Sequence, residues 1–239
     1  MNIKIAILTT ETLHHVYFVR AILNYYKNLK IFCETGKIKN YPFKTLHPFE
    51  IKRKEFEKLK WFEKKKLKLN EIANTEKFDS INDADALRSI KKYNPDLMIV
   101  FGTRRIENKL IGIKSNKIFN LHGGDPERYR GLDSHLWSIY HNDFSALVTT
   151  LHRIEPKLDT GDIVAQCSVP ITKNLQLYAL QAMNTEICIK LTLNLIDTFI
   201  KYGNIITRPQ RKLGRYYSAM PRDLKTICFQ KFKNFTKNI

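Results

Sequence analysis

Between residues 120 and 162 the chain reads NLHGGDPERYRG, then a tryptophan-bearing segment, then LHRIEPKLDTGD. This stretch supplies an amide, an imidazole and a carboxylate: Asn120, His122 and Asp159. In an extended segment alternate side chains point the same way, so Asn120 and His122 emerge on one face. Gly123 and Gly124 then let the backbone turn sharply beside a ligand. An amide N–H can stabilise negative charge on a carbonyl oxygen, and an imidazole can relay a proton near neutral pH. A carboxylate can orient or charge-stabilise that imidazole. The set suits the movement of a small acyl unit, and no covalent enzyme intermediate is required.

The surrounding pattern says what positions these groups. Short apolar runs at 4–9, 29–33, 97–100 and 117–121 read as strands. Helical patterns at 13–26 and 84–92 separate them, the second with Asp83 as its expected cap. Strands alternating with helices predict an α/β fold, a mostly parallel sheet with helices on both faces. In such sheets ligands bind beyond the carboxyl ends of the strands, where Gly102 and Asn120–His122 fall. A Lys-rich helical stretch from Arg53 to Leu69 carries the apolar stripe Phe56, Leu59 and Phe62, and its charge reads as a solvated face. A short helix runs from Asp133 or Ser134 to His141, and strands follow at 147–154 and 163–169. A long amphipathic helix is expected from Leu175 to Tyr202, a loop at 207–221 and a last helix at 223–232. Residues 1–170 are thus expected to form a catalytic core, and 171–239 a small C-terminal extension built on the long helix.

The chain has 239 residues and a net charge of +18. Three sources of the charge stand open: a Lys-favouring coding bias, an anionic substrate or cofactor drawn in by a positive field, or RNA. No run approaches the roughly 18 apolar residues a membrane span needs. The cysteines, Cys33, Cys167, Cys188 and Cys228, lie far apart with no CxxC pair, against a disulfide framework or zinc site. A cytoplasmic protein without metal is the expectation.

The order Asn-x-His, YRG, Trp-bearing helix, His-bearing strand and LDTGD resembles the folate-dependent formyltransferase family, over residues 81 to 170. The resemblance implies a Rossmann-like fold and N10-formyltetrahydrofolate as formyl donor. It also implies catalytic roles for Asn120, His122 and Asp159. Asn120 and His122 would stabilise the oxygen of the tetrahedral carbon, and His122 would relay the proton between amine and N10. His152, which matches the family's strand histidine, either acts directly or satisfies a buried network. The pterin would lie between the loops Phe101–Ile106 and Ile154–Asp159. Phe101, Gly102, Arg105, Ile106, Ile154, Glu155 and Asp159 are therefore the cofactor-binding candidates.

The family usually reads HPSLLP where this chain has HGGDPE. HGGDPERYRGLDSHLWSIYHNDF, RYYSAMPRDL and TLHHVYFVRAIL instead resemble the bacterial sugar-nucleotide N-formyltransferases. That branch implies an acceptor such as a dTDP-linked 4-amino-4,6-dideoxyhexose, a role in O-antigen or surface-glycan synthesis, and a homodimer joined through C-terminal elements. His14, Tyr129, Arg130 and Tyr217 are its substrate-binding candidates. His14 either faces the cleft or is structural. The Arg128–Arg130 loop either grips a diphosphate or braces the active-site loop. Tyr216 and Tyr217 either stack on a base or meet a second subunit. Methionyl-tRNA formyltransferase is the competing nucleic-acid branch; its extra tRNA-binding barrel has little room in the roughly 70 residues after Val169, so no nucleic-acid partner is expected. Glycinamide ribonucleotide formyltransferase and formyltetrahydrofolate hydrolase share the fold and stand as competing branches too.

Overall fold

The computed structural model describes residues 3–36, 40–63 and 67–239. Its main strands are β1 (Ile5–Thr9), β2 (Leu29–Glu34), β3 (Asn74–Phe78), β4 (Leu97–Phe101), β5 (Ile118–His122), β7 (Val148–Arg153) and β8 (Ile163–Ser168). They form one seven-stranded sheet in the order β3-β2-β1-β4-β5-β7-β8. The first five in spatial order are parallel, and β7 and β8 close the far edge antiparallel. This is the mostly parallel, helix-flanked sheet expected of the Rossmann-like formyltransferase fold.

The innermost strands, IAILT and LMIVF, are buried at every position because helices cover both faces. Side chains alternate between two cores: Ile5, Ile7, Leu97, Ile99 and Phe101 face one, and Ala6, Leu8, Met98 and Val100 face the other. The first core takes α1 (Leu13–Leu23), α2 (Pro48–Phe62), α6 (Ser134–Tyr140), α7 (Leu180–Tyr202) and α8 (Arg222–Lys237). The second takes α4 (Ala84–Tyr93) and α5 (Asn108–Ile111).

β1 and β4 are neighbours, yet their chains leave in opposite directions along the sheet, which makes a crevice at their carboxyl ends. Thr9 and Phe101 pair there, and the Thr9 hydroxyl donates to the Phe101 carbonyl over 2.7 Å.

Several elements depart from the sequence expectations. The Lys-rich helix begins earlier, at Pro48, where His47 accepts from Phe49 N–H and Glu50 accepts from His47 N–H. It ends at Phe62, with Glu63 left-handed, and Leu69 starts the separate short helix α3 (Leu69–Ile72). The expected stretch at 64–66 lies outside the described residues. Leu59 is 62% exposed, whereas the other two residues of the expected stripe, Phe56 and Phe62, do pack against the core. The buried residues of α2 are Phe49, Glu57, Trp61 and Phe62.

Asp83 occupies the N-cap position of α4 as expected, but its carboxylate accepts from Ser80 N–H and not from the helix. The long helix starts at Leu180, after a 3-10 turn at Leu177–Ala179, and stops at Gly203 in the left-handed region. The expected loop at 207–221 contains β9 (Arg215–Tyr217), which pairs in parallel with β6 (Tyr129–Gly131). Among the described residues no helix is long and apolar enough to cross a membrane.

Candidate active site

β5 presents Asn120 and His122 on one face, as the period of two requires. β7 runs antiparallel beside it and sets His152 directly opposite Asn120. Asn120 Nδ2 lies 3.1 Å from His152 Nε2, and His152 Nδ1 donates to the Arg153 carbonyl at 2.7 Å. The third group comes from the β7–β8 connection. Asp159 has φ +53°, a conformation uncommon for a non-glycine residue, and it swings the carboxylate back over the strand ends.

The Asp159 carboxylate is the hub. Oδ1 lies 3.5 Å from both Asn120 Nδ2 and His152 Nε2. Oδ2 lies 3.6 Å from His122 Nδ1 and accepts the backbone N–H of Gly131 at 2.8 Å. Burial by itself raises this carboxyl; the charge of His122, the contact with His152 and the Gly131 N–H outweigh it and hold Asp159 well below the usual range. His122 Nε2 donates to the Tyr129 carbonyl over 2.9 Å, so Nδ1 is the ring position facing the carboxylate. Both imidazoles are nearly inaccessible.

Groups distant in sequence hold the hub. Gln210 donates to the carbonyls of Asp159 and Gly161, both at 2.9 Å. Arg130 donates to Leu158 O at 3.0 Å and to Gly214 O at 2.6 Å. Thr207 donates to Asp162, which thus holds a loop. Gly161 admits no side chain, since a Cβ there would lie 2.0 Å from the Arg153 carbonyl. Gln210 carried no signal in the sequence, because it sits in a segment without periodic pattern.

The hub opens into a cavity of about 960 Å³ at the crevice between β1 and β4. Every cofactor candidate lines it: Phe101, Gly102, Arg105, Ile106, Ile154, Glu155 and Asp159. Arg105 ties the two loops together by donating to the Pro156 carbonyl. Gly102 has φ +81°, and a Cβ there would strike the His15 ring.

His14 also lines the cavity; burial, then the nearby Arg53, pushes its imidazole down to about 3, so it is neutral. Tyr129, Arg130 and Tyr217 do not line the cavity, whereas Tyr216 does. The Tyr129 hydroxyl donates to Asp143, and Tyr217 stacks between Tyr129 and Trp137. Arg128 is taken up by Asp125 and Asp143, at 2.7 and 2.8 Å.

The sheet agrees with the comparisons. The formyl transferase family model matches residues 51–187, more than half of the chain, and the chain belongs to that family. A methionyl-tRNA formyltransferase from Azobacteroides pseudotrichonymphae is 27% identical over 164 residues, covering 66% of this chain and 49% of the relative. The chain thus spans about half the length of the curated relatives it matches. Two solved structures share the fold. The N-formyltransferase of Helicobacter canadensis, complexed with folinic acid and dTDP-3-aminofucose, gives a TM-score of 0.58 at 18% identity, over 90% of this chain and 71% of that one. The formyltransferase PseJ of Anoxybacillus kamchatkensis, complexed with UDP-4,6-dideoxy-4-formamido-L-AltNAc and tetrahydrofolate, gives 0.56 at 20% identity, over 99% and 100%.

Proposed function

We propose that this protein transfers a formyl group from N10-formyltetrahydrofolate to the amino group of a nucleotide-linked 4-amino-4,6-dideoxy sugar. The observation that carries the reading is the convergence of Asn120, His122 and Asp159 on one large cavity. At about 960 Å³ the cavity is at the upper end of the roughly 300–1,000 Å³ of small-molecule sites. Its wall from Phe101 to Ile106 and Ile154 to Asp159, with the buried Ile106 and Ile154, fits a flat heterocycle.

N10-formyltetrahydrofolate supplies the formyl carbon and a nitrogen leaving group. Asn120 turns one N–H away from His152 or Asp159 and donates it to the formyl oxygen, where negative charge develops. His122 accepts the proton shed by the attacking amine at Nδ1 and passes it on toward the departing nitrogen. Asp159 stabilises that proton through Oδ2 without taking it up, because its own affinity for protons is depressed. His152 and the Gly131 N–H keep the carboxylate in register.

The sugar acceptor is supported by PseJ, whose chain is matched along its whole length, and by the Helicobacter enzyme. A dTDP carrier, a role in surface-glycan or O-antigen synthesis, and a cytoplasmic homodimer belong to the same reading. Exposed Tyr202, Ile206 and Leu213 at the end of α7 and beyond favour such a subunit contact. A second reading, formylation of methionyl-tRNA, is favoured by the sequence relatives.

The deciding experiment incubates the protein and N10-formyltetrahydrofolate with a panel of dTDP- and UDP-linked amino sugars and with methionyl-tRNA. Product mass and tetrahydrofolate release are followed. A formylated sugar nucleotide supports the proposal. Turnover on methionyl-tRNA alone moves the function to the second reading, and hydrolysis without an acceptor points to a hydrolase.

A further inference from the structure

A four-residue repeat along the inner side of α2 stacks the buried Phe49, Glu57 and Trp61 in one line with the partly exposed Arg53. Phe49 and Trp61 are the expected core residues, and Trp61 stacks on Tyr17 at 4.2 Å. Between them a helix with abundant solvated lysines turns an arginine and a glutamate inward. Glu57 is 2% exposed, and its Oε1 has no hydrogen-bond partner among the described residues. Arg53 Nε is buried and also lacks one; its nearest carboxylate oxygen is that same Oε1, 3.9 Å away. Glu57 otherwise faces only the His14 ring, 3.8 Å from its Oε2, so this carboxylate holds the partly exposed Arg53 guanidinium weakly and leaves its outer nitrogens free to meet a ligand.

Arg53 lines the catalytic cavity, together with Phe49 and Glu50. The other carboxylates on this part of the wall have cations of their own. Glu50 lies 3.0 Å from Lys225, Glu11 lies 2.7 Å from Lys77, and Asp133 lies 3.7 Å from Lys225. His14 and His15 are neutral because burial lowers both. Arg53 therefore presents a guanidinium charge to the cavity, and its counterion among the described residues, Glu57, is itself weakened by burial.

We propose that Arg53 is the residue that anchors the acceptor through its phosphoryl oxygens, and that α2 is the acceptor-recognition helix of this chain. A guanidinium fork matches two phosphoryl oxygens, which a lysine at the same place would not. The inference rests on the formyl-transfer reading and adds to it the group that selects a diphosphate-bearing acceptor.

Calorimetric titration of the full chain with dTDP, UDP and inorganic pyrophosphate tests it, beside a titration with 5-formyltetrahydrofolate. R53Q is expected to weaken nucleoside diphosphate binding at least tenfold while leaving 5-formyltetrahydrofolate affinity unchanged. R53K is expected to fall between, and it decides the matter if R53Q does not fold. Equal diphosphate affinity in wild type and the folded variant overturns the assignment, as does a wild type that binds no diphosphate at millimolar concentration. A wild type that fails to bind 5-formyltetrahydrofolate removes the formyl-transfer reading and this inference with it.

Discussion

Gly131 donates its backbone N–H to Oδ2 of Asp159 over 2.8 Å, and that oxygen is also the one facing His122 Nδ1. The YRG segment and the LDTGD loop are therefore two halves of one device, which fixes a carboxylate beside the imidazole of His122. Asp159→Asn keeps the shape and removes the charge. We expect turnover to fall by about 10²–10⁴-fold, the range for loss of an acid–base partner. Steady-state release of tetrahydrofolate measures it; turnover within a few-fold of wild type would exclude the carboxylate from the proton relay.

The same substitution has a pH signature. The folded carboxyl lies below its unfolded value, so its contribution to stability is complete above the ordinary Asp pKa of about 3.9 and disappears as pH falls through the folded value. Wild type should therefore melt higher than D159N near neutrality, and the gap should close below about pH 4. A gap that stays constant down to acid pH would mean that the charge of Asp159 is not what stabilises the fold.

Gly131 has φ +94°, and a Cβ there would lie 2.2 Å from the Tyr217 carbonyl. Gly131→Ala should destabilise the protein by about 1–3 kcal/mol, the usual cost of a side chain in a forbidden backbone region. It should also pull the N–H away from Asp159. We expect a lower Tm together with a reduced kcat. A normal kcat in the folded variant would show that the carboxylate keeps its position without this hydrogen bond.

The parallel sheet was legible because β1 and β4 are apolar runs and β5 opens on one, and the hub was legible because Asn-x-His and LDTGD are local patterns. β3 was not: NTEKF is a half-exposed edge strand with no apolar run, held by its pairing to β2. The three-residue strands β6 and β9 exist only through each other. In α2 the stripe Phe56, Leu59 and Phe62 was legible only in part: Phe56 and Phe62 do pack inward, but Leu59 is exposed and the inward side also contains Arg53 and Glu57. Charge placed inside a helix face is invisible to a hydrophobic pattern, and here it marks the wall of the cavity.

Arg130 has its guanidinium on two backbone carbonyls, those of Gly214 and Leu158, and thus ties β6 to the loop that carries Asp159. Arg130→Ala leaves both carbonyls without this donor and should lower Tm and kcat together. The kcat and KM of the acceptor, measured separately, distinguish the roles. A pure rise in acceptor KM with unchanged kcat and Tm would place Arg130 on the substrate instead.

Glu57 makes the stability of the fold depend on pH. Burial raises its carboxyl to about 7, although Arg53 and Lys54 pull it down. The folded state thus holds this proton more tightly than the unfolded chain, and stability declines as pH rises from about 4.5 to 7. Glu57→Gln removes that slope and keeps the shape. Relative to wild type, the variant should gain stability between pH 5 and pH 8, on the order of 2–3 kcal/mol. Denaturant unfolding at the two pH values reads the difference, and an identical slope in both proteins would show that Glu57 titrates normally. Because the substitution leaves Arg53 without a counterion, diphosphate affinity at pH 8 should not fall in this variant. A fall would mean that Glu57 positions the guanidinium rather than merely neutralising it.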